Sequence, residues 1–221
     1  MNVLVIGASR GIGLELVRQH RAAGDRVVAS ARSEEGLARL STLGAKPLRL
    51  DVTDTSSNAG LAWQIDGEAF DTIWLVAGVY GPRSTGLQPP TESQFDEVMH
   101  TNVLATMRLL PALAEALAPE ARIAVLSSRM GSIGLRSNPS GWLYRASKAA
   151  LNSVVMDASL ALEGRAICVV LHPGWVRTDM GGEGAELAVE QSVADLRSTV
   201  AGLALADSGS FLNHDGHHID W

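Results

Sequence analysis

Short apolar runs alternate with longer segments of helical periodicity along most of the chain. The six runs are nearly continuously apolar, which predicts strands buried on both faces of a parallel sheet. They cover residues 3–6, 26–30, 47–50, 72–76, 122–126 and 166–171. Helices are predicted between and after them, at residues 12–23, 33–43, 53–65, 93–117, 147–162 and near 187–205. Pro111 should kink or divide the fourth of these helices.

Repeated strand–helix–strand units predict an α/β fold with right-handed crossovers. We expect one domain over residues 1–221, with a Rossmann-like, doubly wound parallel sheet and helices on both faces. Two glycine-rich stretches, residues 80–91 and 181–184, interrupt the alternation and are predicted to be loops. Both follow strands, and ligands of such folds bind beyond the carboxyl ends of the strands. Both loops should therefore border the functional site.

Composition narrows the class of protein. The 221 residues are 46% hydrophobic and 19% charged, which is typical of a globular chain and excludes a disordered one or a long coiled coil. The net charge of −6, without a basic cluster, argues against nucleic acid as a partner. No apolar stretch reaches the roughly 20 residues of a membrane helix, and no secretory signal is visible. We expect a cytoplasmic protein with a small-molecule partner and no membrane contact.

The first predicted strand leads into a glycine-rich turn that precedes a helix. Glycines allow a tight turn and let backbone N–H groups approach a pyrophosphate, and the helix N-terminus adds partial positive charge. The spacing is G-x-x-x-G-x-G, and a purely structural turn is the alternative. The pattern predicts a dinucleotide cradle built from Gly7, Ser9, Arg10, Gly11, Ile12 and Gly13.

The end of the second strand indicates which dinucleotide is bound. No acidic residue that would bind a ribose 2′-hydroxyl precedes Glu34, whereas Arg32 offers a guanidinium suited to a 2′-phosphate. Arg10 supplies a second candidate cation. The residues therefore favour NADP(H) over NAD(H). The alternative is that both arginines are ordinary solvated charges on the surface.

Tyr144 and Lys148 lie four residues apart near the beginning of a predicted helix. This separation, about 400° of rotation and about 6 Å of rise, places both side chains on one face. An ammonium about 4 Å from a phenol is worth about 4 kcal/mol at an effective dielectric constant of 20. We therefore expect Lys148 to lower the pKa of Tyr144 from about 10 toward neutrality, where the phenol can exchange protons. A chance pair on a helix is the alternative.

Two further polar positions accompany this pair. The fifth predicted strand ends in Ser127 and Ser128, whose hydroxyls can bind a substrate oxygen. Asn102 lies inside an apolar helix, where an unpaired buried amide is unfavourable. Asn102 must therefore be hydrogen-bonded for structural reasons or serve a site.

In its whole length the chain resembles the classical short-chain dehydrogenases/reductases. The glycine turn, Asn102, the serine, the Tyr144–Lys148 pair and Pro173-Gly174 occur in the order of that family. The finer resemblance is to small carbonyl reductases of the C-signal type, in residues 127–133, 144–148 and 211–216 and in the closing Trp221.

The resemblance implies an NADPH-dependent oxidoreductase that transfers hydride between the nicotinamide and a carbonyl or alcohol substrate. It implies that Tyr144 is the general acid/base and that Lys148 lowers the tyrosine pKa and binds the nicotinamide ribose. Ser128 would then orient the carbonyl, and Asn102 would organise a proton relay to the lysine. Its other cofactor contacts correspond to Asp51 and Val52 beside the adenine, Ala77 and Gly78 near the adenine ribose, and Pro173, Gly174, Val176 and Thr178 around the nicotinamide amide.

Departures from the family pattern leave some alternatives open. Ile6 stands where the family has a threonine, and Val76 stands where it has an asparagine. The missing amide at Val76 is expected to affect local rigidity more than chemistry. The gap from Ser128 to Tyr144 is slightly long, so Ser127 and Ser132 stay as alternatives for the serine. The rival functions are a non-catalytic dinucleotide sensor or signalling protein and a methyltransferase. Relatives are often dimers or tetramers, but some small carbonyl reductases act alone, so a homodimer, a homotetramer and a monomer all stay open. No metal is expected, despite the histidines near residue 214, and Cys168 is expected to be a core residue.

Overall fold

A seven-stranded sheet forms the centre of the molecule. The computed structural model describes residues 1–221. All neighbouring strands are parallel, in the order β3-β2-β1-β4-β5-β6-β7. The strands are β1 (Asn2–Ile6), β2 (Arg26–Ala31), β3 (Lys46–Arg49), β4 (Phe70–Leu75), β5 (Leu117–Leu126), β6 (Ala166–His172) and β7 (Phe211–Asn213). All six predicted strands are present, and β7 is an addition. The prediction of burial on both faces is wrong for β3, because this edge strand buries only Leu48.

Helices cover both faces of the sheet. They are α1 (Gly11–Ala22), α2 (Glu34–Thr42), α3 (Thr55–Ala59), α4 (Leu61–Gln64), α5 (Glu92–Met99), α6 (Ala105–Glu115), α7 (Trp142–Ala161) and α8 (Val189–Ala201). Successive side chains of a strand point to opposite faces. Leu4 of β1 joins the core under α6 and α7, and Val5 joins the core under α1 and α8. The doubly wound fold is therefore confirmed. None of the helices is long and apolar enough to span a membrane.

The predicted helix at residues 93–117 is divided, but Pro111 does not divide it. The break is a five-residue π-helix, His100–Leu104, between α5 and α6, and α6 continues through Pro111. The buried amide of Asn102, in this π-helix, hydrogen-bonds the backbone of Val79. A wider turn at this point gives the amide its partners, which fits the occurrence of single π turns at functional sites.

Two other helix boundaries differ from the prediction. The helix predicted at residues 53–65 consists of α3 and α4, which meet at Gly60. The helix predicted from residue 147 begins earlier, at Trp142. Gly141 adopts φ +64° immediately before it, a left-handed conformation that glycine adopts without strain and that turns the chain into α7.

The strand order creates a crevice between β1 and β4. The chain leaves β1 toward β2 and β3 on one side, and it leaves β4 toward β5, β6 and β7 on the other. Such a switch point is where α/β folds bind ligands. The turns after the two strands touch, because a Cβ atom at Gly7 would lie 2.6 Å from the backbone nitrogen of Ala77. Only glycine fits at position 7, which also has φ +90°.

Candidate active site

A cavity of about 620 Å³ lies at the switch point, over the carboxyl ends of the strands. It extends from the end of β2 to the first turns of α7. Most of the residues predicted to bind a cofactor line it: Gly7, Ser9, Arg10, Gly11, Ile12, Arg32, Asp51, Val52, Ala77, Gly78, Tyr144, Lys148, Pro173 and Thr178.

The glycine turn brings the N-terminus of α1 to this cavity. The residue that precedes α1, Arg10, makes no capping hydrogen bond with its side chain, and the first turn of α1 contains no acidic residue. The first N–H groups therefore have no side-chain partner. The buried Ser30 hydroxyl accepts a hydrogen bond of 2.9 Å from the Gly7 N–H. Gly13 does not line the cavity; a Cβ there would lie 2.2 Å from the Gly7 carbonyl oxygen, so this glycine lets α1 pack on the turn.

The two predicted cations differ in their surroundings. Arg10 forms a 2.9 Å salt bridge with Asp179, and both side chains are largely exposed. Arg32 is exposed and forms no salt bridge. Its charge helps lower the pKa of Asp51, although hydrogen bonds from Thr53 contribute more. Arg32 is thus the unpaired cation at the β2 end of the cavity.

A second cavity, of about 1,080 Å³, adjoins the first. Tyr144 lines both cavities, as do Ile12, Pro173 and Thr178. The remaining predicted residues at this end, Ser128, Gly174 and Val176, line the second cavity only. Tyr144 therefore lies at the boundary between the two spaces.

Tyr144 and Lys148 share one face of α7, as predicted. Both are buried, and the Lys148 Nζ lies 5.7 Å from the centre of the Tyr144 ring. The Nζ donates a 3.0 Å hydrogen bond to the Leu126 carbonyl oxygen. Burial lowers the pKa of Lys148 to about 8.

The expected effect of Lys148 on the Tyr144 pKa is wrong for this arrangement. Burial raises the pKa of Tyr144 to about 12, and the Ser128 side chain opposes the rise only in part. Desolvation destabilises the phenolate more than its neighbours stabilise it. The ammonium is also directed at the Leu126 carbonyl rather than held at the phenol oxygen.

The three candidate serines have different neighbours. The Ser127 hydroxyl donates a 2.6 Å hydrogen bond to Asn152 Oδ1. The Ser132 hydroxyl is fully buried and bonded to backbone groups. Ser127 and Ser128 both border the second cavity. Ser128 is the one of the three whose side chain acts on the Tyr144 phenol.

Asn102 lies behind the first cavity and does not line it. Its Oδ1 accepts a 2.8 Å hydrogen bond from the Val79 N–H. Its Nδ2 donates to the Val79 carbonyl oxygen at 2.8 Å and to the Ser147 hydroxyl at 2.9 Å. The amide joins the π-helix, the segment after β4 and α7, and a Cβ at Gly78 would lie 3.3 Å from its Oδ1 and 3.5 Å from the Lys148 Nζ.

Comparison with known proteins identifies the family. A family model for short chain dehydrogenases matches residues 1–187. The chain belongs to the short-chain dehydrogenase family. It is 30% identical to a 1-hydroxy-2-glutathionyl-2-methyl-3-butene dehydrogenase of Rhodococcus sp. (strain AD45), over 99% of both chains. It is 40% identical to C-signal of Myxococcus xanthus over 124 residues, which are 54% of this chain and 74% of that one.

Solved structures agree with the family. An NADPH-bound carbonyl reductase from chicken fatty liver is 31% identical and has a TM-score of 0.88, with 100% of this chain and 98% of that one covered. The resemblance seen in the sequence is thereby confirmed, and the chain is an oxidoreductase of this family.

Three residues of this short-chain dehydrogenase escaped the sequence analysis. The Ser30 hydroxyl accepts a hydrogen bond from the glycine turn. The Ser147 hydroxyl accepts a hydrogen bond from the Asn102 amide and donates one of 2.8 Å to the Tyr144 carbonyl oxygen. Tyr80 lines the second cavity beside Tyr144. Of these three residues, only Tyr80 stands out in the sequence, because it is one of only two tyrosines in the chain.

The histidines near the end of the chain have other partners than a metal. His214 Nδ1 lies 2.9 Å from Asp195 Oδ2, and His217 Nδ1 lies 3.1 Å from Asp215 Oδ1. No group of three or more His, Cys, Asp or Glu side chains is arranged to hold a metal ion. His172 is mostly buried, and burial lowers its pKa to about 4, so its ring is neutral at neutral pH.

Proposed function

We propose that this short-chain dehydrogenase is an NADP(H)-dependent carbonyl reductase that interconverts a small-molecule carbonyl compound and its alcohol. One observation carries the proposal: Tyr144 lies where the two cavities meet. Its phenol is beside Ser128 on the side of the second cavity and near Lys148 on the side of the first. The similarity to an NADPH-bound carbonyl reductase supports it.

The residues of the first cavity fit a dinucleotide with a 2′-phosphate. Its volume of about 620 Å³ is that of a ligand-binding cleft. The uncapped N-terminus of α1 is suited to the pyrophosphate. Arg32 is free to bind the 2′-phosphate, whereas Glu34, the first acid after β2, is paired with Arg49.

The other lining residues would hold the two halves of the cofactor. The adenosine half would lie against Asp51, Val52, Ala77 and Gly78. The nicotinamide half would lie against Pro173, Gly174, Val176 and Thr178, near Tyr144 and Lys148. When bound, the dinucleotide supplies the hydride.

The chain's own residues would orient the substrate and supply the proton. The Ser128 hydroxyl would bind the carbonyl oxygen and hold it beside the Tyr144 phenol. With a pKa of about 12, the phenol is protonated at neutral pH, which is the form that donates a proton to the oxygen as it gains charge. Lys148 would hold ribose hydroxyls and keep positive charge near the phenol, and Asn102 would hold the π-helix against α7.

Oxidation of NADPH across a panel of aldehydes, ketones and quinones tests the proposal, with Tyr144→Phe as the variant. We expect the wild type to reduce at least one class of carbonyl compound. The variant should bind NADPH with unchanged affinity in a calorimetric titration but turn over at least about a hundredfold more slowly, since it lacks the proton donor.

Two results would contradict these expectations. Wild-type turnover by Tyr144→Phe would remove Tyr144 from the reaction. A wild-type protein that binds NADPH tightly but reduces nothing in the panel would point to a non-catalytic dinucleotide sensor.

A further inference from the structure

The only two tyrosines of the chain stack on each other in the site. Tyr80 lies in the loop after β4, and its ring centre is 4.5 Å from that of Tyr144, with an angle of 23° between the ring planes. This is a close, nearly parallel contact that restricts the positions open to both rings. Tyr80 thus covers one face of the proposed proton donor.

A cation lies close to each ring of the pair. The Arg83 Cζ is 5.3 Å from the centre of the Tyr80 ring, and the Lys148 Nζ is 5.7 Å from the centre of the Tyr144 ring. Both distances allow attraction between a cation and the face of a ring. Arg83 also donates a 3.3 Å hydrogen bond to the Met180 carbonyl oxygen, across the second cavity.

The loop that carries Tyr80 is fixed to the beginning of α7. The Gly141 N–H donates a 3.0 Å hydrogen bond to the Ser84 carbonyl oxygen. A Cβ at Gly141 would lie 2.6 Å from the Tyr80 hydroxyl oxygen, so the tyrosine packs directly on the residue that precedes α7. The backbone hydrogen bond therefore holds the loop that carries Tyr80 against the helix that carries Tyr144.

We propose that Tyr80 is a positioning residue that holds the Tyr144 ring at the boundary between the two cavities. The inference rests on the proposed function, because it assigns Tyr80 a part in the same proton transfer. The contact with Tyr144 is made by the face of the ring, so the ring, and not the hydroxyl, does the positioning. Tyr80 also helps to keep water from the phenol, since it covers a face that would otherwise border the second cavity.

The variants Tyr80→Phe and Tyr80→Leu separate the ring from the hydroxyl. We expect Tyr80→Phe to keep a kcat close to the wild-type value. In Tyr80→Leu the kcat should fall by about tenfold or more, because a reaction slows when its reacting groups are misplaced. Tyr80 does not line the first cavity. The Kd for NADPH should therefore be the same in both variants. Arg83→Gln changes an exposed side chain beside the Tyr80 ring, and it should lower kcat as Tyr80→Leu does.

A spectroscopic measurement tests the inference without any turnover. In both Tyr80 variants Tyr144 is the sole tyrosine, so tyrosinate absorbance during an alkaline titration reports its ionisation alone. Circular dichroism recorded at the same pH values shows where each variant is folded, and the two titrations are compared only in that range. Because water reaches the phenol once the covering ring is gone, Tyr144 should ionise at lower pH in Tyr80→Leu than in Tyr80→Phe.

The outcomes distinguish this inference from the proposed function. Equal titration of Tyr144 in the two variants overturns the positioning role, whether or not a substrate has been found. A loss of kcat in Tyr80→Phe as large as in Tyr80→Leu also overturns it, because the hydroxyl would then be the important group. If the wild type reduces no carbonyl compound, the proposed function fails, and the titration alone decides the role of Tyr80.

Discussion

The burial of Lys148 predicts how the stability of the protein depends on pH. The ammonium is almost entirely removed from water, and its one hydrogen bond is to the Leu126 carbonyl oxygen. Burial lowers its pKa from the ordinary 10.5 to about 8. This difference corresponds to about 3 kcal/mol between the native and unfolded states. Lys148→Met removes the titrating group and keeps an unbranched side chain of similar length.

The sign of the effect follows from proton binding at this lysine. Above about pH 10.5 the side chain is neutral in both states. Between about pH 10.5 and 8 the unfolded chain binds a proton that the native protein does not, so falling pH favours unfolding. Below about pH 8 both states are charged and the full penalty is present. The lysine thus lowers the free energy of unfolding by about 3 kcal/mol as the pH falls through this window.

Urea denaturation of the wild type and Lys148→Met at a series of pH values from 7 to 10.5 measures this effect. The free energy of unfolding of the wild type, relative to the variant, should rise by about 3 kcal/mol across the series. Burial raises the pKa of Tyr144 to about 12 and of Cys168 to about 11. Both groups are present in the two proteins, so their effects largely cancel in the difference.

Lys46→Met is the matched control. It removes the only other lysine of the chain, which is half exposed and paired with Glu68, and it leaves Lys148 in place. This control should keep the pH dependence of the wild type. Curves of the same shape for the wild type and Lys148→Met would refute the reasoning, because burial of the ammonium would then carry no penalty in this protein.

Two further predictions concern Arg32 and the glycine turn. Arg32→Asp should lower the ratio of kcat/KM for NADPH to that for NADH by about ten- to a hundredfold, the value of a lost charge-assisted hydrogen bond. Arg165→Asp, the same change at an exposed residue beside β6, should leave the ratio unchanged, and an unchanged ratio in both would remove Arg32 as the selector. Gly13→Ala should destabilise the protein by about 1–3 kcal/mol in urea, because its Cβ overlaps the Gly7 carbonyl oxygen. At Gly202 the new Cβ makes only ordinary contacts, so a similar loss in Gly202→Ala would contradict this account.

Local patterns were enough to predict the sheet and the elements around the glycine turn. A buried parallel strand needs a nearly continuous apolar run, and β1, β2, β4, β5 and β6 each contain one. The edge strand β3 has the sequence KPLR and buries only Leu48. The order of the strands then brings Gly7, Ala77 and Tyr144 to one edge, so the place of the site follows from topology. The three residues of β7 are too few to show a period, and this strand forms only by pairing with β6.

Features that depend on contacts distant in sequence could not be predicted in the same way. The π-helix forms where Asn102 meets Val79, 23 positions earlier, and no helical periodicity encodes that meeting. The stacking of Tyr80 on Tyr144 joins a loop to a helix across a still longer separation. The sequence marks the side chains that need partners, whereas the partners themselves are set by the fold.

The Tyr144–Lys148 pair illustrates this limit at the proposed proton donor. Spacing predicts that the side chains share a face, and a Coulomb estimate then predicts a more acidic phenol. Burial acts in the opposite direction on both groups, because it disfavours phenolate and ammonium alike. The result is a phenol that keeps its proton and a lysine close to losing one. Spacing along the chain therefore predicts which groups meet, whereas the direction of each pKa shift depends on burial, which only the fold determines.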